Sequence, residues 1–341
     1  MIIVKKIFKL GLSWILVHSG FLTCYLKNKR KGILILRYHR IFADDKESLH
    51  KIGISKQNFE KQLQYLKNNH KILTLEAAVE ILKNQKEIPA KALVITFDDG
   101  YKDNWENAFP LLQKYALPAT IYLTAGLIGT ADLLYWDRLK QLILTSEKSQ
   151  ITLGTNVYKL STFEEKGESF YKILSELKKA DDSLKNKLLG ELAVKLPGEK
   201  PIHNKEDLLL SWEEVTKMQE AGISFGGHTV NHPLLTRVSL AEAKIEIRNS
   251  KNIIEEKLAC PVTTFAYPGG AFNPDIRRIV ADCGYEAACS TVLGINYPNS
   301  DLFALKRKGI TDGSSTGLTG EFSPTLFAVE VSGLFDRLFT R

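Results

Sequence analysis

Two adjacent carboxylates, Asp98 and Asp99, follow the apolar run Ala92–Phe97 and precede Gly100. A short apolar run bounded by turn residues predicts a buried strand. Neighbouring side chains on a strand point to opposite faces, but a glycine turn at its end lets both acids face one cleft. One carboxylate could then bind a cation while the other accepts protons. Taken alone, the tripeptide is equally typical of an Asp-rich turn that caps a helix.

Two histidines, His228 and His232, lie in a second glycine-containing segment, residues 222–233. Their i, i+4 spacing predicts that both imidazoles lie on one face of a helical turn, close enough to share a metal. Such a pair is often incidental, but two histidines and one carboxylate form a zinc-type site with positions left for water. The sequence has seven histidines, and none follows His232. These two histidines and one of the two aspartates are therefore the predicted metal ligands.

A third segment, residues 264–270, is an apolar run that ends in Pro-Gly-Gly. Glycines leave backbone N–H groups unobstructed, which suits an oxyanion pocket. Pro-Gly-Gly alone is also typical of an ordinary turn. We therefore treat Tyr267, Pro268 and Gly269 as candidates for contact with an oxyanion or with substrate.

Together these segments resemble the polysaccharide deacetylases, the NodB-homology group that forms carbohydrate esterase family four. The resemblance extends over roughly residues 33 to 310 and includes the order and separation of the motifs as well as their letters. The matching segments are residues 38–40, 96–104, 119–124, 228–233 and 265–270.

The resemblance implies an α/β fold, a distorted seven-stranded (β/α) barrel with a helical insertion. It implies that Asp98 is the general base and that Asp99, His228 and His232 hold a divalent metal, usually zinc. A metal-bound water is then the nucleophile that removes the acetyl group of an N-acetylated, sometimes O-acetylated, sugar. The donor set is chemically suitable, because a cation held by two neutral imidazoles and one carboxylate keeps a net positive charge and acidifies its water.

The sequence departs from the family pattern at two places. Relatives often carry a C-terminal histidine that protonates the departing amine, but residues 302–310 contain none, and the arginine of the third motif is absent as well. We predict that His39 is the acid, because its strand should end on the same barrel face as Asp98 and histidine titrates near neutral pH. A structural histidine bonded to a loop backbone is the alternative.

Three functional classes follow. The leading one is a metal-dependent hydrolase that removes N-acetyl groups from a polysaccharide or glycolipid containing N-acetylhexosamine. The second uses the same machinery as a deformylase or an O-acetyl esterase on a related sugar. The third is a barrel that binds a glycan without cleaving it; the missing histidine favours this class, while the intact base and metal ligands argue against it.

Residues 1–31 form an N-terminal segment that is strongly apolar over residues 2–26 and ends in a basic cluster at 27–31. The lysines interrupt the apolar run, which predicts a helix lying in a membrane surface rather than one crossing the membrane. A helical arrangement places Lys5, Lys9, Ser13, Gly20, Thr23 and Lys27 on one side, with Ile7, Trp14, Phe21 and Tyr25 opposite.

We expect the protein to be membrane-associated on the cytoplasmic face. Two alternatives remain, namely an uncleaved anchor that carries an extracytoplasmic barrel and a helix that packs against the barrel core. No small-residue cleavage pattern follows the apolar part, which argues against a cleaved signal peptide.

The composition is that of a globular enzyme, with 44% hydrophobic and 25% charged residues in a chain of 341. The net charge of +7 is not gathered with aromatic residues into a nucleic-acid module, so we expect no nucleic-acid partner. The four cysteines lack paired spacing and are predicted to be free thiols.

Alternating apolar runs and helical stretches predict a barrel over residues 32–315, with a helical insertion at about 130–210. Residues 316–341 form a C-terminal tail, predicted over 323–341 as one amphipathic helix. Trp136, at the start of the insertion, is a candidate for stacking on a sugar ring, although an aromatic packing anchor is equally consistent. The predicted strands are 32–37, 92–97, 119–123, 223–225, 263–266 and 286–290; the predicted helices are 56–69, 75–83, 105–115, 212–221, 240–258 and 274–283.

Overall fold

The computed structural model describes residues 2–28, 32–43, 52–196 and 208–339. Three residues of the predicted basic cluster, 29–31, and the last two of the predicted C-terminal helix therefore lie outside the described residues, as does part of the insertion.

Twelve strands are described. They are β1 (Leu34–Tyr38), β2 (Arg40–Phe42), β3 (Gly53–Ser55), β4 (Lys71–Ile72), β5 (Ala92–Phe97), β6 (Thr120–Leu123), β7 (Gln150–Leu153), β8 (Asn156–Lys159), β9 (Ser224–Gly227), β10 (Thr264–Ala266), β11 (Ala287–Cys289) and β12 (Lys308–Gly309).

Thirteen α-helices accompany them in the same part of the chain. They are α1 (Ile2–His18), α2 (Phe21–Asn28), α3 (Lys56–Asn69), α4 (Leu75–Lys83), α5 (Phe109–Tyr115), α6 (Tyr135–Thr145), α7 (Phe163–Lys179), α8 (Asp182–Lys195), α9 (Trp212–Glu220), α10 (Leu240–Leu258), α11 (Pro274–Asp282), α12 (Pro324–Ser332) and α13 (Leu334–Phe339).

The main sheet is parallel and runs in the order β11-β10-β9-β6-β5-β1-β12, with β4 added beside β5. A further parallel bridge joins Leu305, which precedes β12, to Cys289 on β11. The segment 305–309 therefore pairs with both ends of the sheet and curls it into a barrel. The predicted α/β fold with a distorted seven-stranded barrel is confirmed.

The interior of the barrel is filled by apolar side chains from neighbouring strands. Ile35, Val94, Tyr122, Ala266 and Cys289 are all buried and belong to one contact cluster. Alternate residues of the same strands pack outward against the helices, as period-two side-chain direction requires. A filled interior leaves only the carboxyl ends of the strands available for a site.

The predicted helices over residues 56–69, 75–83 and 240–258 match α3, α4 and α10. Serine or threonine side chains cap all three, since Ser55, Thr74 and Ser239 each accept a bond from a first-turn N–H. The helix predicted over 105–115 instead begins with a π-helical turn, Asn104–Ala108, before α5. The insertion was predicted to be helical, but it also contains the antiparallel hairpin β7–β8.

Both termini differ from the single helices predicted for them. Gly20 and Gly333 adopt left-handed φ values of 75° and 73°, which end α1 and α12 and start new helices. Helix α1 packs against α12, and Lys9 forms an ion pair with Glu330 at 3.0 Å. Tyr25, predicted on the outward side, is buried. None of the helices described here is both long and apolar enough to cross a membrane.

Candidate active site

The carboxylates of Asp98 and Asp99 lie at the end of β5 and line the same cavity of 360 Å³. Asp99 and Gly100 have φ values of 75° and 79°, so the chain turns sharply here and directs both acids to one side. Both carboxylates are almost completely buried. The predicted arrangement of two acids facing one cleft is therefore present.

Asp99 lies between the two predicted histidine ligands. The Nε2 atoms of His228 and His232 are each 3.4 Å from its Oδ1 atom, and the three ligand atoms lie within 4.8 Å of one another. The predicted helical turn is wrong, because His228 follows β9 and His232 lies in a loop. Left-handed φ values at Thr229 (66°) and His232 (59°) bring the imidazoles together instead.

The hydrogen-bonding pattern of this cluster fits a divalent cation. His228 Nδ1 lies 2.7 Å from the carbonyl oxygen of Ala266 and donates there, so Nε2 is the ring nitrogen that faces Asp99. Asp99 Oδ2 is buried and has no hydrogen-bond partner among the residues that the structure describes. Burial raises the pKa of Asp99, but the two neighbouring imidazoles outweigh this effect and hold it well below the usual value. An orphaned anionic oxygen beside two imidazole nitrogens is what a zinc-type site requires.

The strained loop that carries His232 is held by Glu246 of α10. Its carboxylate accepts bonds from the N–H groups of Val230 and Asn231 and from the Asn231 side-chain amide, at 2.8–2.9 Å. The hydroxyl of Thr229 accepts the His232 N–H at 3.0 Å. Left-handed non-glycine residues cost free energy and persist only when their surroundings fix them. Glu246 is therefore the main fixed point of the ligand loop.

Asp98 is held by Arg307, which the sequence analysis missed. Arg307 Nη1 donates to Oδ1 at 2.6 Å and Nη2 donates to Oδ2 at 2.7 Å, and both side chains are buried. The guanidinium also donates to the Ser290 carbonyl and the Thr96 hydroxyl. The arginine that is missing from the third motif thus has a counterpart two strands away. The three consecutive basic residues at 306–308, directly after the apolar residues 302–305, were the available signal.

Arg307 determines the charge state of the predicted base. Burial would raise the pKa of Asp98, but the Arg307 charge, the nearby His228 and the two guanidinium hydrogen bonds outweigh it and hold the pKa at about 2. Asp98 is therefore ionised at neutral pH, and each oxygen keeps a lone pair for a further hydrogen bond. A carboxylate this acidic is a weak base, so it requires an already acidified water as its proton donor.

His39 follows β1 and lines the cavity together with Asp98, as predicted. Burial lowers the pKa of His39 to about 4, with a smaller opposing effect from Asp99. At neutral pH it is therefore an uncharged imidazole, which must take up a proton before it can pass one to an amine. Its role as the acid stays a prediction.

The remaining candidates are residues 267–269 of the third segment and Trp136 at the start of the insertion. Gly269 lines the cavity, while Pro268 is buried next to it. Tyr267 cannot serve as an oxyanion donor, contrary to prediction, because its N–H donates to Cys289 and its hydroxyl to Phe303. Trp136 lines the cavity but is only 6% exposed.

The contacts of Trp136 favour the packing role over sugar stacking. Its indole N–H donates to the Tyr101 hydroxyl at 2.7 Å, and its ring packs edge-to-face against His232 with centroids 4.8 Å apart. An indole fixed in this way supports the orientation of His232, a predicted metal ligand.

The chain belongs to the polysaccharide deacetylase family, because the sequence profile of that family matches residues 85–196 and 198–288, more than half of the chain. It is therefore an enzyme of the deacetylase class, as the motifs predicted. It is 22% identical over 302 residues to YxkH of Bacillus subtilis (strain 168), which is named for the same family, covering 88% of this chain and 79% of that protein.

The chain is also similar to a staphylococcal enzyme and to a solved streptococcal structure. The poly-beta-1,6-N-acetyl-D-glucosamine N-deacetylase of Staphylococcus aureus (strain MSSA476) is 31% identical over 137 residues, 35% of this chain and 47% of that enzyme. The aligned region thus spans about half of the staphylococcal protein. Among solved structures, the deacetylase PplD of Streptococcus pyogenes superposes with a TM-score of 0.58 at 21% identity, covering 88% of this chain and 98% of PplD.

The Arg307–Asp98 pair predicts how kcat/KM depends on pH. Because the guanidinium lowers the pKa of Asp98, Arg307→Gln should raise that pKa and move the acid limb of the kcat/KM profile upward by about 1–3 pH units. Arg307→Lys keeps one positive charge and should shift the limb less. Thermal unfolding should accompany the assay, since breaking a buried pair costs about 3–5 kcal/mol. An unshifted limb in a folded Arg307→Gln protein would contradict this account.

Glu246 should control metal affinity without touching the metal. Glu246→Gln places an amide NH₂ against N–H donors and releases the loop, so affinity for zinc should fall about 10–100-fold. Competition with a chromogenic chelator measures this directly. Glu256→Gln, an exposed change on the same helix, is the matched control. Equal affinity for zinc in Glu246→Gln and Glu256→Gln would contradict the positioning role of Glu246.

Proposed function

We propose that this protein is a zinc-dependent N-deacetylase that acts on a polysaccharide or glycolipid containing N-acetylhexosamine. The observation that carries the proposal is the Asp99, His228 and His232 cluster, which opens into the same cavity as Asp98. The staphylococcal relative, named for N-deacetylation of poly-N-acetylglucosamine, supports the substrate class.

A bound divalent cation supplies a positive charge that polarises an amide carbonyl and acidifies water. Asp99 and the two imidazoles would hold it and neutralise only one of its two charges. Asp98 lies beside this set but is bound by Arg307 rather than by the metal ligands. It is thereby fixed in the ionised form, ready to accept a proton from water in the cavity.

Two further groups complete the proposed reaction. Gly269 lines the cavity and is the candidate backbone donor for the developing oxyanion. His39 is the proposed acid for the departing amine. Because its folded pKa is low, it would receive its proton within the reaction cycle rather than from bulk solvent.

We also propose that α1 attaches the enzyme to the surface of an anionic membrane. Its outward side carries a dense set of large apolar side chains, each 52–69% exposed. The opposite side contacts the protein, where Ser13 is buried and Lys9 pairs with Glu330. A patch of this kind marks an interaction site. The exposed residues are Val4, Ile7, Phe8, Trp14 and Ile15.

The charges of the chain favour lipid as the partner of α1. Lys5 lies exposed beside the apolar side, and the whole chain carries a net charge of +7. Basic residues next to a shallowly inserted helix are attracted to the anionic cytoplasmic leaflet. The cytoplasmic face is therefore the proposed side.

The catalytic proposal is tested with Asp98→Asn. The variant should still bind zinc, while acetate release from acetylated oligosaccharides should fall about 10²–10⁴-fold. Chelation should abolish the activity of the wild type and zinc should restore it. Asp132→Asn, an exposed change, is the control. Unaltered acetate release by Asp98→Asn would refute the assigned base, and release of formate alone would identify a deformylase.

The membrane proposal predicts the behaviour of two exposed side chains. Ile7→Ser and Trp14→Ser should each weaken co-sedimentation with phosphatidylserine-containing vesicles by about tenfold, because each removes roughly 1.5–3 kcal/mol of apolar burial. Ile245→Ser, on α10 and equally exposed, should have no effect. If the wild-type protein does not bind the vesicles, or if both α1 variants bind them as strongly as the wild type, the proposal for this surface is excluded.

A further inference from the structure

We propose that the substrate carries an anionic group, a carboxylate or a phosphate, near the acetamide, and that Arg37 and Lys178 bind it. This inference rests on the proposed function and adds a substrate class to the same cavity. It follows from two cationic side chains that line the cavity and serve none of the catalytic steps described above.

Arg37, on β1, forms no direct ion pair among the described residues, although the charges of Asp98 and Asp99 act on its guanidinium. Its Nε atom is buried and has no hydrogen-bond partner in the same part of the chain. Neither carboxylate of the cavity pairs directly with Arg37, since Arg307 binds both oxygens of Asp98, and Asp99, whose Oδ1 lies against the two imidazoles, belongs to the proposed metal site. Polar groups left unpaired in a folded protein call for an explanation, and a missing ligand is one.

Keeping Arg37 in this place is costly for the free protein. Burial and the like charge of Arg307 lower its pKa, and together they outweigh the opposite effect of Asp98 and Asp99. The neighbouring strand nevertheless provides room for it, because Gly309 pairs with Arg37 in register and a Cβ atom there would lie 3.0 Å from Nη2. Gly309 does not have a left-handed φ, so space rather than backbone conformation explains the glycine.

Lys178 reaches the cavity from a different part of the fold. It belongs to the last turn of α7 in the insertion, is exposed, and forms no ion pair within the described ranges. A neutral N-acetylated sugar offers nothing to match these two charges. A carboxylate or phosphate does, because a guanidinium binds either one through two parallel hydrogen bonds.

The test compares three glycans that share the N-acetylhexosamine unit. One is a neutral tetramer of N-acetylglucosamine, one carries a lactyl carboxylate on alternate sugars, and one is linked by phosphodiesters. Calorimetric binding to chelator-treated wild-type protein should favour at least one anionic glycan by about tenfold or more over the neutral one. The two anionic arms identify which group is recognised.

The variants then locate the preference. Arg37→Gln should abolish it and Lys178→Gln should reduce it, whereas Lys179→Gln removes the same charge one residue away and should retain it. Should Arg37→Gln fail to fold, the exposed Lys178 variant decides. Equal binding of neutral and anionic glycans by the wild type, or a full preference in folded Arg37→Gln or Lys178→Gln, would overturn the inference.

Binding and hydrolysis report on different claims. If the zinc-loaded wild type releases no acyl group from any of the three glycans yet still prefers an anionic one, the proposed function fails and the anion site stands. If it deacetylates the neutral tetramer as well as the anionic glycans and binds them equally, the function stands and the anion site falls.

Discussion

The buried ion pair between Arg307 and Asp98 links the closure of the barrel to its chemistry. Arg307 lies in the only described segment that pairs with both ends of the curled sheet, contacting β11 through Leu305 and β1 through Lys308. Its guanidinium crosses the interior to the end of β5 and fixes the carboxylate there. A buried pair of this kind adds little net stability relative to apolar residues, but loss of one partner leaves a charge stranded. The geometry of Asp98, the proposed base, therefore depends on correct closure of the sheet.

Much of the scaffold could be predicted from sequence because its signals are local. The apolar run Ala92–Phe97 and the capped, periodic helices α3, α4 and α10 carry their boundaries in their own residues. The breaks at Gly20 and Gly333 were missed, since a glycine within a helical pattern is tolerated as often as it ends a helix. The two-residue strand β12 has too few residues to show any periodicity.

The site shows where local reasoning stops. The spacing of His228 and His232 predicted that the two imidazoles lie close together, but through the wrong local structure, because a loop held by Glu246 reproduces the proximity that a helical turn would have given. Tyr267 was a candidate oxyanion donor because it lies next to the Pro-Gly-Gly turn, but its N–H donates to Cys289 within the sheet. Arg307 meets Asp98 across 209 positions of sequence, and no pattern within one segment encodes such a contact.

The division of labour between sheet and insertion follows from the charges in the cavity. The proposed base, the proposed metal ligands and His39 all come from strand ends or the loops directly after them, so the barrel alone brings these side chains together. Asp98 and Arg307 neutralise each other, which removes that pair from the recognition of charge. The cationic side chains that remain for the proposed recognition of an anionic sugar are Arg37 in the wall and Lys178 from α7. Since α7 lies in an insertion between two strands of the barrel, substrate choice can change there while the base and its arginine stay fixed.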